Sequence, residues 1–297
     1  MTHRVPGLDR AAGWVDSNIE QFRLCHARSE DERIFLMKPL GELALTAAVL
    51  SRCGFNPTWC GDKVRFAWDE LGGGDALLRL LSARPDLIVA STLYACFRQF
   101  GHRNRRLDIL VRHLAATAAC RAIEFPRWRR LDVAHGLDAL DIESFPPDAY
   151  VGTWVAARPE PWMMTDDIAY AVTHEIFYIS DFGRVPERLP PSVRSYVATW
   201  LPAWLEIYAA QSNWDLFAEF VMVGASLRQS QPVALCLLME QLTPDGHVPG
   251  PRDGAANLIR SNDPGPRIRF LRNYHTTLVA MMAFALAEAA HGSDRVL

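Results

Sequence analysis

The sequence has no apolar run long enough to cross a bilayer. A spanning helix needs ~18 to 20 predominantly apolar residues, and the longest such stretch, Leu278 to Ala287, is too short. No membrane is therefore expected as a partner. The first sixteen residues, Met1 to Asp16, lack the apolar centre of a signal peptide. No C-x-x-C pair occurs among the six cysteines Cys25, Cys53, Cys60, Cys96, Cys120 and Cys236. That spacing argues against a disulfide framework and for reduced thiols, so a cytoplasmic location is expected. Excess charge of one sign is also missing: 31 Lys and Arg stand against 34 Asp and Glu, a net charge of -3. Nucleic acid is therefore not an expected partner. The arginine groups Arg103, Arg105, Arg106 and Arg127, Arg129, Arg130 are followed by Asp108 and Asp132 and read as solvated helix starts. Gly72-Gly73-Gly74 is not followed by Lys-Ser or Lys-Thr, so it is not a phosphate loop. No G-x-S-x-G, kinase set or dinucleotide fingerprint is present, and the sequence names no cofactor.

What is present is helical spacing. Hydrophobic residues make up 49% of the chain and charged residues 22%, a balance that excludes wholesale disorder. Apolar residues recur with helical period over 9–27, 30–52, 62–71, 75–83, 86–100, 105–123, 129–140, 165–181, 191–210, 213–228, 232–242 and 267–290. Ser29, Thr165 and Asn213 are candidate N-caps. Gly54, Gly101 and Gly292 fall just past expected helix ends, and Pro232 stands near the first position of its helix. No alternating run demands a strand. The chain reads as one all-α domain, 1–297, with an irregular segment at 141–164 between its N- and C-terminal halves. A second irregular stretch, Thr243 to Pro266, is rich in Gly, Pro, Asp and Asn. About twelve helices joined mostly by short turns suggest antiparallel pairs closing into an α/α toroid, with an open helical solenoid or bundle as the alternative.

One helix carries unusual polar chemistry. In TDDIAYAVTHEIFYISD, Thr165 to Asp181, the residues Asp167, Tyr170, His174, Tyr178 and Asp181 fall within about 80° of one another at 100° per residue. A wet helix face would carry Lys, Arg and Glu, whereas His, Tyr and Asp suit a hydrogen-bonded interior lining. His174 is the candidate acid or base, oriented by Tyr170 and Tyr178. His174 and Asp181 lie about 10 Å apart along an unbroken helix, too far to share one ion. HEIFY lacks the second histidine of H-E-x-x-H. No residue is assigned as a metal ligand and no closed structural zinc site is expected, while a weakly held three-ligand metal stays compatible.

Two further stretches could face the same space. The loop Gln241 to Gly250 carries Asp245 and His247. Asn273-Tyr274-His275-Thr276-Thr277 opens a helix that becomes almost wholly apolar, where buried polar groups need partners. Asp215 and Glu219, four residues apart, are a like-charged pair that either sits in water or holds something positive. The expected catalytic residues are thus His174, Tyr178, Asp181 and His275, with Asp167, Tyr170, Asp245, His247 and Tyr274 binding substrate. His174 and His275 are expected to line one pocket.

The string THEIFYISDFG, Thr173 to Gly183, resembles a signature of an actinobacterial family known as the domain of unknown function DUF6895. NYHTTLV, Asn273 to Val279, and the PDGHVPGP loop are similar to its later motifs. The resemblance implies a role in natural-product biosynthesis. The same loop looks like the repeat-ending loop of terpenoid-cyclase-like toroids, but Tyr170 stands where their Asp-rich motif would place a third Asp. These readings predict an enzyme acting on a small-molecule or peptide intermediate by acid–base chemistry. The alternative is a non-catalytic helical ligand-binding or scaffold protein. Homo-oligomerisation is left open.

Overall fold

Helices in this chain begin where a short polar side chain can take a free amide. Ser29, Thr165 and Asn213 accept the backbone N–H of Glu32, Ile168 and Leu216 respectively, the N-cap geometry expected of them. The computed structural model describes residues 6–251 and 265–293. Fourteen α-helices lie among them: α1 (Pro6–Ser17), α2 (Glu30–Arg52), α3 (Pro57–Glu70), α4 (Asp75–Ala83), α5 (Ala90–Gln99), α6 (Arg105–Ala116), α7 (Ala118–Ala122), α8 (Arg127–Ala139), α9 (Trp154–Ala157), α10 (Asp166–Ser180), α11 (Pro191–Ala210), α12 (Trp214–Ser226), α13 (Pro232–Glu240) and α14 (Pro266–Ser293). No strand occurs among the described residues, and the protein is all-α as expected.

Several boundaries differ from the periodicity: the helix expected over 62–71 already starts at Pro57, and the one expected over 86–100 starts at Ala90, after a 3-10 turn at Pro85–Leu87. The stretch expected as one helix over 9–27 ends at Ser17 and continues as 3-10 turns at Ile19–Phe22 and Leu24–His26. Glu70 of α3 accepts the Leu24 N–H at 3.0 Å and pairs with Arg23 at 2.5 Å, drawing the backbone out of helix. The 105–123 stretch breaks at Thr117, whose hydroxyl accepts the Cys120 N–H and starts α7. Gly292 lies inside α14 rather than after it. Most of the Gly/Pro-rich stretch after Thr243 falls at 252–264, outside the described residues.

The irregular segment gains only α9 and a 3-10 turn at Pro161–Met163. It is tied down on α10 and α11. Buried Glu175 accepts the Trp154 and Val155 N–H groups at 3.1 and 2.9 Å, and the Tyr196 hydroxyl donates to the Pro159 carbonyl.

Contacts between helices order the rest. Helix α14 packs on α12, α2 and α1; α12 packs also on α10 and α11; α10 packs on α8, α8 on α5, and α5 on α2. Helices α2, α14, α12, α10, α8 and α5 therefore touch in a closed cycle, with α3, α1, α11 and α9 laid against its members. One continuous set of buried apolar side chains runs from Leu8 to Leu286. Helix α2 is long and apolar enough to cross a membrane by length and composition. Lys38 and Glu42 interrupt its apolar residues, so it contains no unbroken apolar run of that length. In the fold its apolar side chains, Leu36 to Leu50, are buried against α3, α5 and α14. All six cysteines are free thiols; Cys60 and Cys96 are buried and Cys25 and Cys236 exposed.

Candidate functional site

Buried polar side chains of four cycle helices meet at one place. Helix α12 supplies Asp215 and Glu219, one turn apart and each only 2% exposed. Two carboxylates so deeply buried must be compensated. The Tyr170 hydroxyl of α10 donates to Asp215 Oδ2 at 2.6 Å, and Thr276 of α14 donates to Asp215 Oδ1 at 2.7 Å. The Thr173 hydroxyl donates to Glu219 Oε2. Two imidazoles complete the group. His174 Nδ1 lies 3.5 Å from Glu219 Oε2. His275 places Nε2 at 3.6 Å from Asp215 Oδ2 and Nδ1 at 3.1 Å from Glu42 Oε1 of α2. The Glu42 contact is within ion-pair range but poorly aligned for a hydrogen bond. Glu42 also lies against Lys38 at 3.6 Å and against Tyr274.

The electrostatics follow from this pairing. Burial alone would lower both histidines. Glu219 nevertheless raises His174, and Glu42 with Asp215 pushes His275 up to about 10. Burial would raise Glu42, yet His275 and Lys38 hold it at about 2. Burial and the neighbouring Asp215 and Glu219 push the Tyr170 phenol far up, so Tyr170 is a permanent donor.

Accessibility distinguishes the imidazoles from the groups around them. The side chains of His174 and His275 keep 26% and 31% of their surface, whereas Asp215 and Glu219 keep 3% each. Among the described residues His275 has both ring nitrogens paired, whereas His174 uses Nδ1 and leaves Nε2 without a protein partner. Trp128 of α8 stands edge-on to His174 at 5.3 Å, with Tyr170, Phe177 and Tyr178 around it at 6.0 to 6.3 Å.

A second polar cluster lies at the C-terminal end of α10. Asp181 pairs with Arg52 of α2 at 2.9 Å, His135 of α8 at 3.0 Å and Arg184 at 2.5 Å. Burial opposes its ionisation, but His135 and Arg52 hold Asp181 below the usual carboxylate range. Helices α2 and α10 are not adjacent in the cycle of contacts, so the Arg52–Asp181 pair links the C-terminal ends of two non-neighbouring members. Tyr178 is buried beside Asp132 and His135.

The expected site residues thus divide. Tyr170, His174, His275 and Tyr274 meet around Asp215, Glu219 and Glu42. Tyr178 and Asp181 share the α10 stripe but turn toward α8 and the second cluster. Asp167 is exposed at the start of α10, where the sequence places it in the lining. The first turn of α10 lies beyond the packed part of the stripe. Asp245 is exposed and His247 is half-buried, with Nδ1 2.9 Å from the Thr243 hydroxyl and its ring 5.7 Å from Trp14 of α1. The loop docks on α14 through Val248 N–H to Thr277 and Gly250 N–H to Asn273, and no described contact joins Asp245 or His247 to the cluster.

Glu42 and Thr173 are not singled out by the sequence, whereas Thr276 falls in the Asn273–Thr277 stretch whose polar groups need partners and finds one in Asp215. Glu42 had a signal, a glutamate between Leu40 and Leu43, but Lys38 four residues earlier makes it look like half of a surface pair.

Residues 8–285 match the family described as a domain of unknown function, DUF6895, and the chain belongs to that family. No curated protein and no solved structure matched it.

Proposed function

We propose that this member of the family is an enzyme that acts on a small-molecule or peptide substrate by proton transfer at His174. The observation that carries this reading is the asymmetry between two imidazoles that both stay accessible in a buried setting. His174 is oriented through Nδ1 by Glu219, which leaves Nε2 to take or give a proton. His275, flanked by Glu42 and Asp215, stays charged through neutral pH and offers a fixed positive pole to an oxyanion or carboxylate of the substrate. Tyr170 supports the same pole by donating to Asp215. Trp128 and Phe177 give one side of the His174 ring an apolar wall. We further propose that the closed cycle of helices is the inner ring of an α/α toroid. The family resemblance suggests natural-product biosynthesis as the setting, and the unpaired cysteines suggest the cytoplasm.

The non-catalytic alternative draws on a different observation: the oxygens of Asp215 and Glu219 that face the chain already hold donors from Tyr170, Thr173 and Thr276, as a purely structural network would. A thermal-shift screen of small carboxylic and amino acids and short peptides separates the two. Under the enzymatic reading, compounds that raise the melting temperature of the wild type lose that effect with His174→Ala, whose own melting temperature stays within a few degrees. If His174→Ala instead collapses stability, or binds every hit as the wild type does, His174 is a structural residue and the proposal falls.

A further inference from the structure

One distance within the cluster does not fit a hydrogen bond. His275 Nε2 is 3.6 Å from Asp215 Oδ2. This is long for an N–H···O bond, which clusters near 2.9 Å. It is close to the spacing of two ligands around one ion: at metal–ligand distances of ~2.1 Å, tetrahedral ligands stand ~3.4 Å apart and trans octahedral ones ~4.2 Å. One donor atom each from Asp215, Glu219 and His275 lies within 4.8 Å of the other two, so a small side-chain adjustment brings all three onto one centre.

Three other features support a cation there. First, the surroundings have the form of an outer ligand shell. The far nitrogen of His275 faces the Glu42 carboxylate at 3.1 Å, and Tyr170, Thr276 and Thr173 fix the carboxylates. Metal-ligating carboxylates are oriented in this way, and a slight turn of either side chain would align the His275–Glu42 contact as the matching hydrogen bond for the imidazole. Second, Glu42 Oε2 is buried with no hydrogen-bond partner among the described residues, so the cluster's own side chains do not satisfy all of its carboxylate oxygens. Third, the formal charges leave room for one divalent ion. With neutral imidazoles, as ligands must be, Asp215, Glu219 and Glu42 contribute three negative charges and Lys38 one positive charge, a shortfall of two.

We propose that Asp215, Glu219 and His275 bind a first-row divalent transition-metal ion, with Glu42 and Tyr170 as positioning residues. Two oxygens and one imidazole suit Mn²⁺, Fe²⁺, Co²⁺ or Zn²⁺. The proposal rests on the site of the preceding section: the ion takes over the positive pole that protonated His275 supplies without it, and His174 remains the proton-transfer group.

Cobalt is the probe, because Co²⁺ bound to nitrogen and oxygen ligands gives a visible absorption spectrum. Chelator-treated full-length protein is titrated with Co²⁺, with circular dichroism to confirm the fold. The expected result is one Co²⁺ per chain, displaced by Zn²⁺ and lost in Asp215→Asn and His275→Gln, while His247→Ala binds as the wild type. Should the ligand variants fail to fold, Glu42→Gln decides, with an expected 10- to 100-fold loss of affinity. Folded wild type that takes up no stoichiometric Co²⁺, or uptake unchanged by these substitutions, overturns the metal site. The titration contains no substrate, so its failure leaves the His174 proposal to its own screen.

Discussion

A carboxyl group shut away from water must be neutral or fully compensated, and two buried residues of this chain take opposite solutions. Glu175 has no exposed surface, and burial pushes it up to about 7 although the Val155 and Trp154 amides favour its anion. A folded value above the ordinary one means that ionisation costs stability. Its stabilising effect is complete below the ordinary carboxylate range and is lost as pH rises toward about 7, by up to about 3 kcal/mol. Melting curves across that window should show a fall for the wild type that Glu175→Gln lacks. Asp181 is the reverse. Burial opposes its charge, but His135 and Arg52 hold it below the ordinary range. Its contribution is therefore present above that range and is lost as pH falls through and below it. Asp181→Asn should cost about 3 kcal/mol at neutral pH and flatten the acid limb of the stability profile; an unchanged acid limb would mean that other carboxylates set it. At this scale the sequence was informative where residue type was unusual for its position. The His, Tyr and Asp stripe and the Asp215–Glu219 pair both mark buried polar groups. Direction was not legible. A stripe 80° wide on a straight helix still spans some 10 Å from His174 to Asp181, and those two residues meet different neighbours.

At the scale of the element, the end of α10 shows what helical spacing does not encode. Asp181, Phe182 and Gly183 all take left-handed backbone, with φ of 50°, 51° and 81°. This reversal lays the chain on α12 so closely that a Cβ on Gly183 would stand 2.8 Å from the Ser226 Cα. Gly183→Ala must therefore move backbone against backbone. Gly54 provides the control, with φ of 80° and nothing within 4 Å of its would-be Cβ. Gly54→Ala should cost about 1 kcal/mol, the price of the conformation, and Gly183→Ala about 2 to 3 kcal/mol more. Equal melting temperatures for the two variants would show that the α10–α12 corner yields without strain. Helix extents follow the same logic. The expected 30–52, 75–83 and 191–210 match α2, α4 and α11, since caps and periodicity agree there. The 9–27 stretch is shortened because the Leu24 amide finds a better acceptor in Glu70 of a different helix, information that no local window contains.

For the whole molecule, the segment 141–164 reads in sequence as a divider, and its composition supports that reading, with Pro146, Pro147, Pro159 and Pro161. The packing joins what the segment separates. Helix α2 of the first half packs on α14 of the second, and α8 packs on α10. The charged pairs Arg52–Asp181, His135–Asp181 and Glu42–His275 each take one partner from either side. Pairing of helices was legible because turns are short; closure of the cycle was not, because it depends on contacts between residues more than a hundred positions apart. The consequence is that neither half has a complete interior. Residues 1–150 alone would expose the faces of α2 and α8 that α14 and α10 cover, and would leave Glu42, Arg52 and His135 without their partners. Such a fragment should show helical circular dichroism but weak amide protection and a broad melt, and so should 151–297. Coexpressed, the two should copurify as a one-to-one complex with a sharp transition, because the break falls in a segment where Val151, Trp154, Trp162 and Met163 are already exposed. A 1–150 fragment that melts sharply by itself would show that the cycle is two abutting domains, and a site built from α2, α10, α12 and α14 would then lie at their interface.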